Sequence, residues 1–159
     1  MVRQTCGTLL LFTVALLIPL HAQTTKKIAL RVLDSKTGQR LTPTGYQVRI
    51  NHQETAHGDW VKQGEDGTAE LTLPGDAEIL LIHANYQSSM ETYINCDGEK
   101  QYQSPGPHWY TIEDILSKGV VTENGCVKPK DEPKLKADPK PGELVLYVRK
   151  LNWQEQMKD

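Results

Sequence analysis

The sequence predicts an all-β protein, an antiparallel β-sandwich of about seven strands with one short helix inserted before the last strand. Apolar and polar residues alternate over several short segments, which is the period of a strand with one buried face. Turn signals such as Asp66-Gly67 and Pro74-Gly75 separate these segments. One short segment after Thr111 has the period and the capping residues of a helix instead.

The first 22 residues are typical of a secretory signal peptide. Arg3 precedes an apolar run over residues 9–20, and Ala22 supplies the small side chain expected at a cleavage site. The run is about a dozen residues long, well short of the roughly 20 that a membrane-spanning helix needs. We therefore expect residues 23–159 to form a single secreted or periplasmic domain without a membrane span. A signal that stays uncleaved as an anchor is the alternative.

The charged residues are nearly balanced. The whole chain carries 18 basic and 20 acidic side chains. Loss of the signal removes Arg3 and no acid, which leaves a net charge of about −3. So mild a charge argues against a nucleic-acid partner and against adhesion to an anionic membrane.

Two of the three cysteines, Cys96 and Cys126, remain after the signal is lost. In an exported protein an even number of cysteines predicts a disulfide. Closing a loop of about 30 residues would stabilise the fold by roughly 3 to 4 kcal/mol in the chain-entropy model. Two free thiols are the alternative.

Seven segments have the pattern of strands. In the first, Ile28, Leu30 and Val32 share one face, and a turn that ends at Gly38 follows it. The segment at residues 79–82 is apolar on both faces, so we expect it to lie centrally with both sides covered. The predicted strands cover residues 28–33, 46–52, 60–63, 68–73, 79–82, 90–94 and 144–151.

A helix-bearing insertion is predicted at residues 97–127. Thr111 can cap a helix of about two turns, and Asp114, at the third helical position, can form the reciprocal hydrogen bond back to the cap residue. The predicted apolar stripe consists of Ile112, Ile115 and Leu116, and Gly119 ends the helix. Residues 128–142 are rich in proline and lysine and predict an exposed, polyproline-like loop.

Over residues 30–86 the chain resembles the carboxypeptidase regulatory-like family of small transthyretin-like, or prealbumin-like, β-sandwiches. The likeness rests on the order and spacing of Val32-Leu33-Asp34, Thr37-Gly38, Val48-Arg49-Ile50, Asp66-Gly67, Leu73-Pro74-Gly75 and the apolar residues 79–82. It implies an accessory module rather than a catalyst. The segment from Cys96 to Trp153 is also similar to exported bacterial proteins that carry no assigned function.

The metallopeptidases to which such modules are attached bind zinc through a His-x-x-Glu pair. No histidine in this chain is followed by Glu three residues on. The His-Glu-x-x-His and Gly-x-Ser-x-Gly motifs and a phosphate-binding glycine loop are also missing from the sequence. We therefore expect a protein that is not an enzyme and needs no cofactor.

Two groups of residues remain as candidate sites. His52, His57 and Asp59 lie in or beside one loop and could bind a metal in a small hydrolase. Trp109 and Tyr110 follow a Pro-Gly-Pro loop and could contact a ligand, together with Trp60 and Trp153, although Trp60 at the start of a strand fits the core better. Loop histidines exposed to solvent and aromatic residues packed in the core are the structural alternatives.

The sequence thus predicts an exported, non-catalytic β-sandwich module that binds a protein, a glycan or an envelope surface. A small hydrolase or metal-dependent enzyme is one alternative. A purely structural envelope component is the other.

Overall fold

The structure is a computed structural model that describes residues 24–64, 68–85, 93–97, 109–128 and 137–156. These residues are mostly β, as predicted, with two short helices, α1 (Ile112–Lys118) and α2 (Trp153–Gln156). The strands are β1 (Thr25–Asp34), β2 (Arg40–Leu41), β3 (Gly45–Ile50), β4 (Val61–Gln63), β5 (Ala69–Pro74), β6 (Ile79–Asn85), β7 (Tyr93–Asn95), β8 (Tyr110–Thr111), β9 (Val120–Val121) and β10 (Glu143–Lys150).

The strands form two sheets. The larger has the order β4-β5-β1-β10-β7, with β2 paired to β1 and β9 paired to β10, and the smaller has the order β3-β6-β8. The described residues therefore contain ten strands, more than the seven that were expected. The difference comes from β2, β8 and β9, which are two residues long and too short to show an alternation pattern.

The larger sheet is mixed, which corrects the prediction of antiparallel pairing. β10 runs parallel to β1, with Leu30 opposite Leu144 and Val32 opposite Leu146, and β9 runs parallel to β10. Parallel neighbours need a long crossover connection. The segment between β1 and β10 includes the smaller sheet and α1. It is therefore long enough for the chain to return to the end of the larger sheet at which β1 starts.

One hydrophobic core joins the two sheets. Residues that alternate along β1, β3 and β5 are buried in this core, as predicted for Ile28, Leu30 and Val32 of β1. Burial of each large apolar side chain stabilises the fold by about 1.5 to 3 kcal/mol. These residues are Ile28, Leu30, Val32, Tyr46, Val48, Ile50, Ala69, Leu71 and Leu73.

The prediction that residues 79–82 form a central strand is confirmed. β6 lies between β3 and β8, with Ile82 opposite Val48 and Leu80 opposite Tyr110. Leu80 and Ile82 face the core shared by the two sheets, and Leu81 on the other face is also buried. Both faces are covered, which explains why this segment lacks polar alternation.

A second, smaller core covers the other face of β10. Val145 and Tyr147 are buried there with Leu33 and Cys96, so β10 is buried on both faces from Leu144 to Val148. The Sγ atoms of Cys96 and Cys126 lie 2.08 Å apart, which is the distance of a disulfide bond, as predicted for this pair. The bond joins the end of β7 to the segment after β9.

The helix α1 occupies the predicted position, but its cap differs in detail. The Thr111 hydroxyl donates to the Asp114 carboxylate at 2.7 Å and makes no side-chain hydrogen bond to the helix backbone. This hydrogen bond and the one from Lys118 hold the pKa of Asp114 below its usual value. Ile115 is buried, whereas Leu116 is 37% exposed and belongs to the apolar stripe only in part. Gly119 ends the helix with φ of 75°, as predicted.

Several predicted features lie outside the described residues. These are the signal peptide, the hairpin turn at residues 65–67, the start of the strand at 90–94, and residues 129–136 of the loop. Within the described ranges, no helix is long and apolar enough to cross a membrane.

Candidate ligand-binding cleft

The polar loop that follows β3 folds back onto that strand. Asn51 and His52 have φ values of 49° and 60°, so the chain turns there and β3 ends before the predicted His52. His57 then pairs with Val48, and each backbone N–H donates to the other residue's carbonyl at 2.8 and 2.9 Å. The loop is thereby fixed at both ends, and it brings Trp60 alongside β5.

The two histidines proposed as metal ligands contact different tryptophans. The His52 ring lies against Trp109 with ring centroids 4.7 Å apart, and the His57 ring stacks on Trp60 at 4.2 Å, only 10° from parallel. In the described part of the chain, no three His, Cys, Asp or Glu side chains are grouped so that they could hold a metal ion.

Trp60 combines a structural role with an accessible surface. Its carbonyl accepts a hydrogen bond of 3.0 Å from the Thr72 N–H, which extends the pairing between β4 and β5. Its ring is half-buried and packs against the main core, so the expectation that Trp60 is a core residue holds only in part. The remaining surface of the residue lines a cleft.

That cleft, which we call the Trp60 cleft, is an open space of about 610 Å³ between the β4–β5 pair, the turn after β5 and the start of β1. Its lining mixes one aromatic ring with hydroxyl, carboxylate and ammonium groups. The residues that matter for its chemistry are Thr24, Asp59, Trp60, Lys62, Thr72 and Asp76.

Hydrogen bonds from two sides hold the turn between β5 and β6, which carries Asp76. The Asn51 amide donates to the Asp76 carbonyl at 3.1 Å, and its oxygen accepts from the Glu78 N–H at 2.9 Å. From the other side, the Lys26 ammonium donates to the Ala77 carbonyl at 2.7 Å. This wall of the cleft is therefore held in place by hydrogen bonds within the protein.

Gly75 is required where the start of the described chain meets this turn. A Cβ atom at this position would lie 2.6 Å from the Thr24 carbonyl oxygen and closer still to its hydroxyl oxygen. Because real Cβ atoms do not approach backbone atoms so closely, only glycine fits without displacing Thr24 from the cleft.

A second cavity, of about 740 Å³, lies beside α1. Its lining includes Ile79, Ile112 and Leu116 but no aromatic ring. The one cation in that lining, Lys26, already donates to the Ala77 carbonyl. This cavity also has carboxylate and hydroxyl groups in its lining, but it lacks the aromatic ring of the Trp60 cleft.

The predicted ligand-contact residues Trp109 and Tyr110 lie elsewhere, at the start of β8. The Tyr110 ring packs against the core, and its hydroxyl donates to the Asp97 carboxylate at 2.8 Å. Burial, and then the nearby Asp97 charge, raise the pKa of Tyr110 far above its usual value. Trp109 is half-buried and contacts His52. The ligand role of this pair stays a prediction.

Trp153 is the most exposed tryptophan, at 72%. It lies on α2, which is fixed by two reciprocal hydrogen bonds between Asn152 and Glu155, at 2.9 and 3.0 Å. Arg149 adds a two-pronged ion pair with Glu155 at 2.6 and 2.8 Å.

Trp153 follows β10, and Trp60 precedes β4. Because β5 and β1 separate these strands, by about 14 Å in all, the two rings do not form one platform.

Asp59 and Trp60 were candidate residues in the sequence, but Lys62, Thr72 and Asp76 were not. Lys62 and Thr72 lie within predicted strands, and Asp76 directly follows the Pro74-Gly75 turn signal. No local pattern indicates that they meet.

The chain matches no protein-family model, no curated protein and no solved structure, so its likeness to carboxypeptidase regulatory-like domains stays a prediction.

Proposed function

We propose that the chain is an exported, non-catalytic β-sandwich module of the carboxypeptidase regulatory-like type, which binds a protein, glycan or envelope partner at the Trp60 cleft. The apolar core shared by two sheets, the paired cysteines and the signal-like first 22 residues support this role.

The observation that carries the proposal is the Trp60 cleft itself. A half-buried aromatic ring, ordered by a stacked histidine, stands beside polar groups in an open space of about 610 Å³. Binding sites combine apolar surface with a few fixed polar groups in this way. Because His57 and the strand pairing already order Trp60, a partner would lose little side-chain entropy on contacting it.

Glycan and peptide arrays probed with the purified protein test this proposal. We expect binding that is lost in Trp60→Ala and retained in Trp153→Ala, which removes an exposed ring far from the cleft. Loss in Trp109→Ala alone would move the site to the aromatic pair predicted from the sequence. No binding to any array would favour the purely structural envelope component.

A further inference from the structure

We infer that the Trp60 cleft binds a carbohydrate, and that the sugar is neutral or carries an amino group rather than an acidic group. This inference rests on the proposed function and specifies the ligand of the same site.

The indole ring of Trp60 is held in a fixed position. His57 stacks on Trp60 with ring centroids 4.2 Å apart, and the backbone of His57 is fixed to Val48 by two hydrogen bonds. His57 covers one face of the indole, so the surface that Trp60 gives to the open cleft is the remaining part of a rigid apolar ring. The C–H face of a pyranose ring is also flat and apolar, and it packs against the electron-rich face of an aromatic ring.

The polar lining of the cleft contains both hydrogen-bond donors and acceptors. Sugar hydroxyls both donate and accept hydrogen bonds, so a sugar site needs both kinds of partner close to the ring. Asp59 and Asp76 supply acceptors, the Lys62 ammonium supplies donors, and the hydroxyl of Thr72 can do either. The exposed carboxylates lie on the loop before β4 and on the turn after β5, so they approach a ligand from two directions.

The wall of the cleft that carries Asp76 has a fixed position. Asn51 and Lys26 hold the backbone from Asp76 to Glu78 with hydrogen bonds of 2.7 to 3.1 Å. A ligand with many weak polar contacts gains most from groups that are already in place, since little ordering remains to oppose binding.

An extended peptide fits the same place less well. Peptides that bind at a sheet edge add a strand to it and rely on backbone hydrogen bonds. The edge strand at the cleft, β4, has only three residues, and the side-chain amide of its last residue, Gln63, donates to the Pro43 carbonyl. About two ladder positions would be available to a peptide.

The charges of the cleft select among sugars. Asp59 and Asp76 carry two negative charges against the one positive charge of Lys62. An acidic sugar would meet net repulsion, whereas an amino sugar would meet net attraction.

Titration calorimetry with defined oligosaccharides tests this inference. The probes are neutral β-glucan and mannan fragments, glucosamine oligomers, polygalacturonate fragments and a pool of unstructured peptides. We expect the neutral or amino-sugar probes to bind and the acidic probe to bind at least about tenfold more weakly. Trp60→Ala should weaken sugar binding by about tenfold or more, and Trp60→Phe should weaken it less.

Two further variants keep the test valid if Trp60→Ala unfolds. Asp76→Asn lies on an exposed turn and should weaken amino-sugar binding, while Trp153→Ala should leave it unchanged. Peptide binding that Trp60→Ala abolishes, without sugar binding, would overturn the carbohydrate inference and leave the proposed function standing. Sugar binding that neither Trp60→Ala nor Asp76→Asn weakens would overturn the site. Failure of every sugar probe would overturn the carbohydrate inference alone, because the proposed function also includes a protein or envelope partner.

Discussion

Burial changes the chemistry of individual side chains most clearly around His83, Asp97 and Tyr110. His83 is only 7% exposed on β6, and Asp97 is equally buried just after β7. Burial lowers the pKa of His83 below its ordinary value of 6.5, and the negative charge of Asp97 partly opposes that shift. His83 therefore favours the neutral form in the folded protein.

Replacement of His83 should change how stability depends on pH. The unfolded chain binds a proton at His83 near pH 6.5, whereas the folded protein binds it only at lower pH. The contribution of neutral His83 to the free energy of unfolding is therefore fully present above about pH 6.5. It is lost as the pH falls from there toward the lower pKa of the folded protein, at up to about 1.4 kcal/mol per pH unit. In His83→Gln, the free energy of unfolding should fall less steeply between pH 7.5 and 5, as measured by urea denaturation.

The Asp97→Asn variant serves as the matched control for this prediction. It removes the charge that favours protonated His83, so it should not flatten the pH dependence. Parallel pH profiles for the wild type and His83→Gln would show that His83 does not contribute in this way.

At the scale of elements, Asn95 links the two sheets. It ends β7 of the larger sheet, and its side chain reaches β6 of the smaller one. The amide nitrogen donates to the Ile82 carbonyl at 2.9 Å, and the amide oxygen accepts from the Ala84 N–H at 3.1 Å. β8 pairs with β6 only at Ile79 and Leu80. The Asn95 side chain therefore forms hydrogen bonds with the part of β6 that follows this pairing.

Asn95→Ala should lower the free energy of unfolding strongly, although it removes only one small side chain. The substitution leaves the buried Ile82 carbonyl and Ala84 N–H without partners, at about 1 to 3 kcal/mol for each group. Urea denaturation measures the loss. Asn124→Ala is the matched control, because among the described residues this buried amide makes one hydrogen bond, of 2.9 Å, to the Ser35 carbonyl. An equal or larger loss in the control would argue against the special role of Asn95.

At the scale of the whole molecule, the last strand is an integral part of the larger sheet. β10 pairs with β1 along one edge and with β7 and β9 along the other. Leu144 to Val148 are all buried, between the main core and the smaller core at the disulfide. No disulfide attaches β10 to the rest of the chain, since no cysteine follows Cys126. Packing, strand pairing and polar contacts such as the Arg31–Glu143 ion pair at 2.9 Å hold it.

Trypsin under native conditions should nick the proline- and lysine-rich loop without releasing the C-terminal piece. The expected sites are Lys130, Lys134 and Lys136, while Lys140 should resist because Pro141 follows it. Each buried leucine or valine of β10 stabilises the association by about 1.5 to 3 kcal/mol. The two pieces should therefore elute together in gel filtration and separate only in denaturant. Separate elution in buffer would mean that β10 is not an integral strand.

Local patterns in the sequence determined the strand character, the buried faces of β1, β3 and β5, the central place of residues 79–82 and the position of α1. Each follows from side-chain periodicity or from a turn or cap within a few residues. The cysteine pair was predicted from the signal-like pattern of the first 22 residues and from the count of cysteines. These inferences need no knowledge of which distant segments meet.

Only the tertiary structure decided the parallel pairing of β1 with β10, the second core around Tyr147 and the Trp60 cleft. Alternation shows which face of a strand is buried, but it does not show which strand lies beside it or in which direction. Likewise, Asp76 belongs with Trp60 because Asn51 holds the turn after β5 and because β4 pairs with β5. Such contacts join residues far apart in the chain, so they depend on the whole fold and leave no local pattern in the sequence.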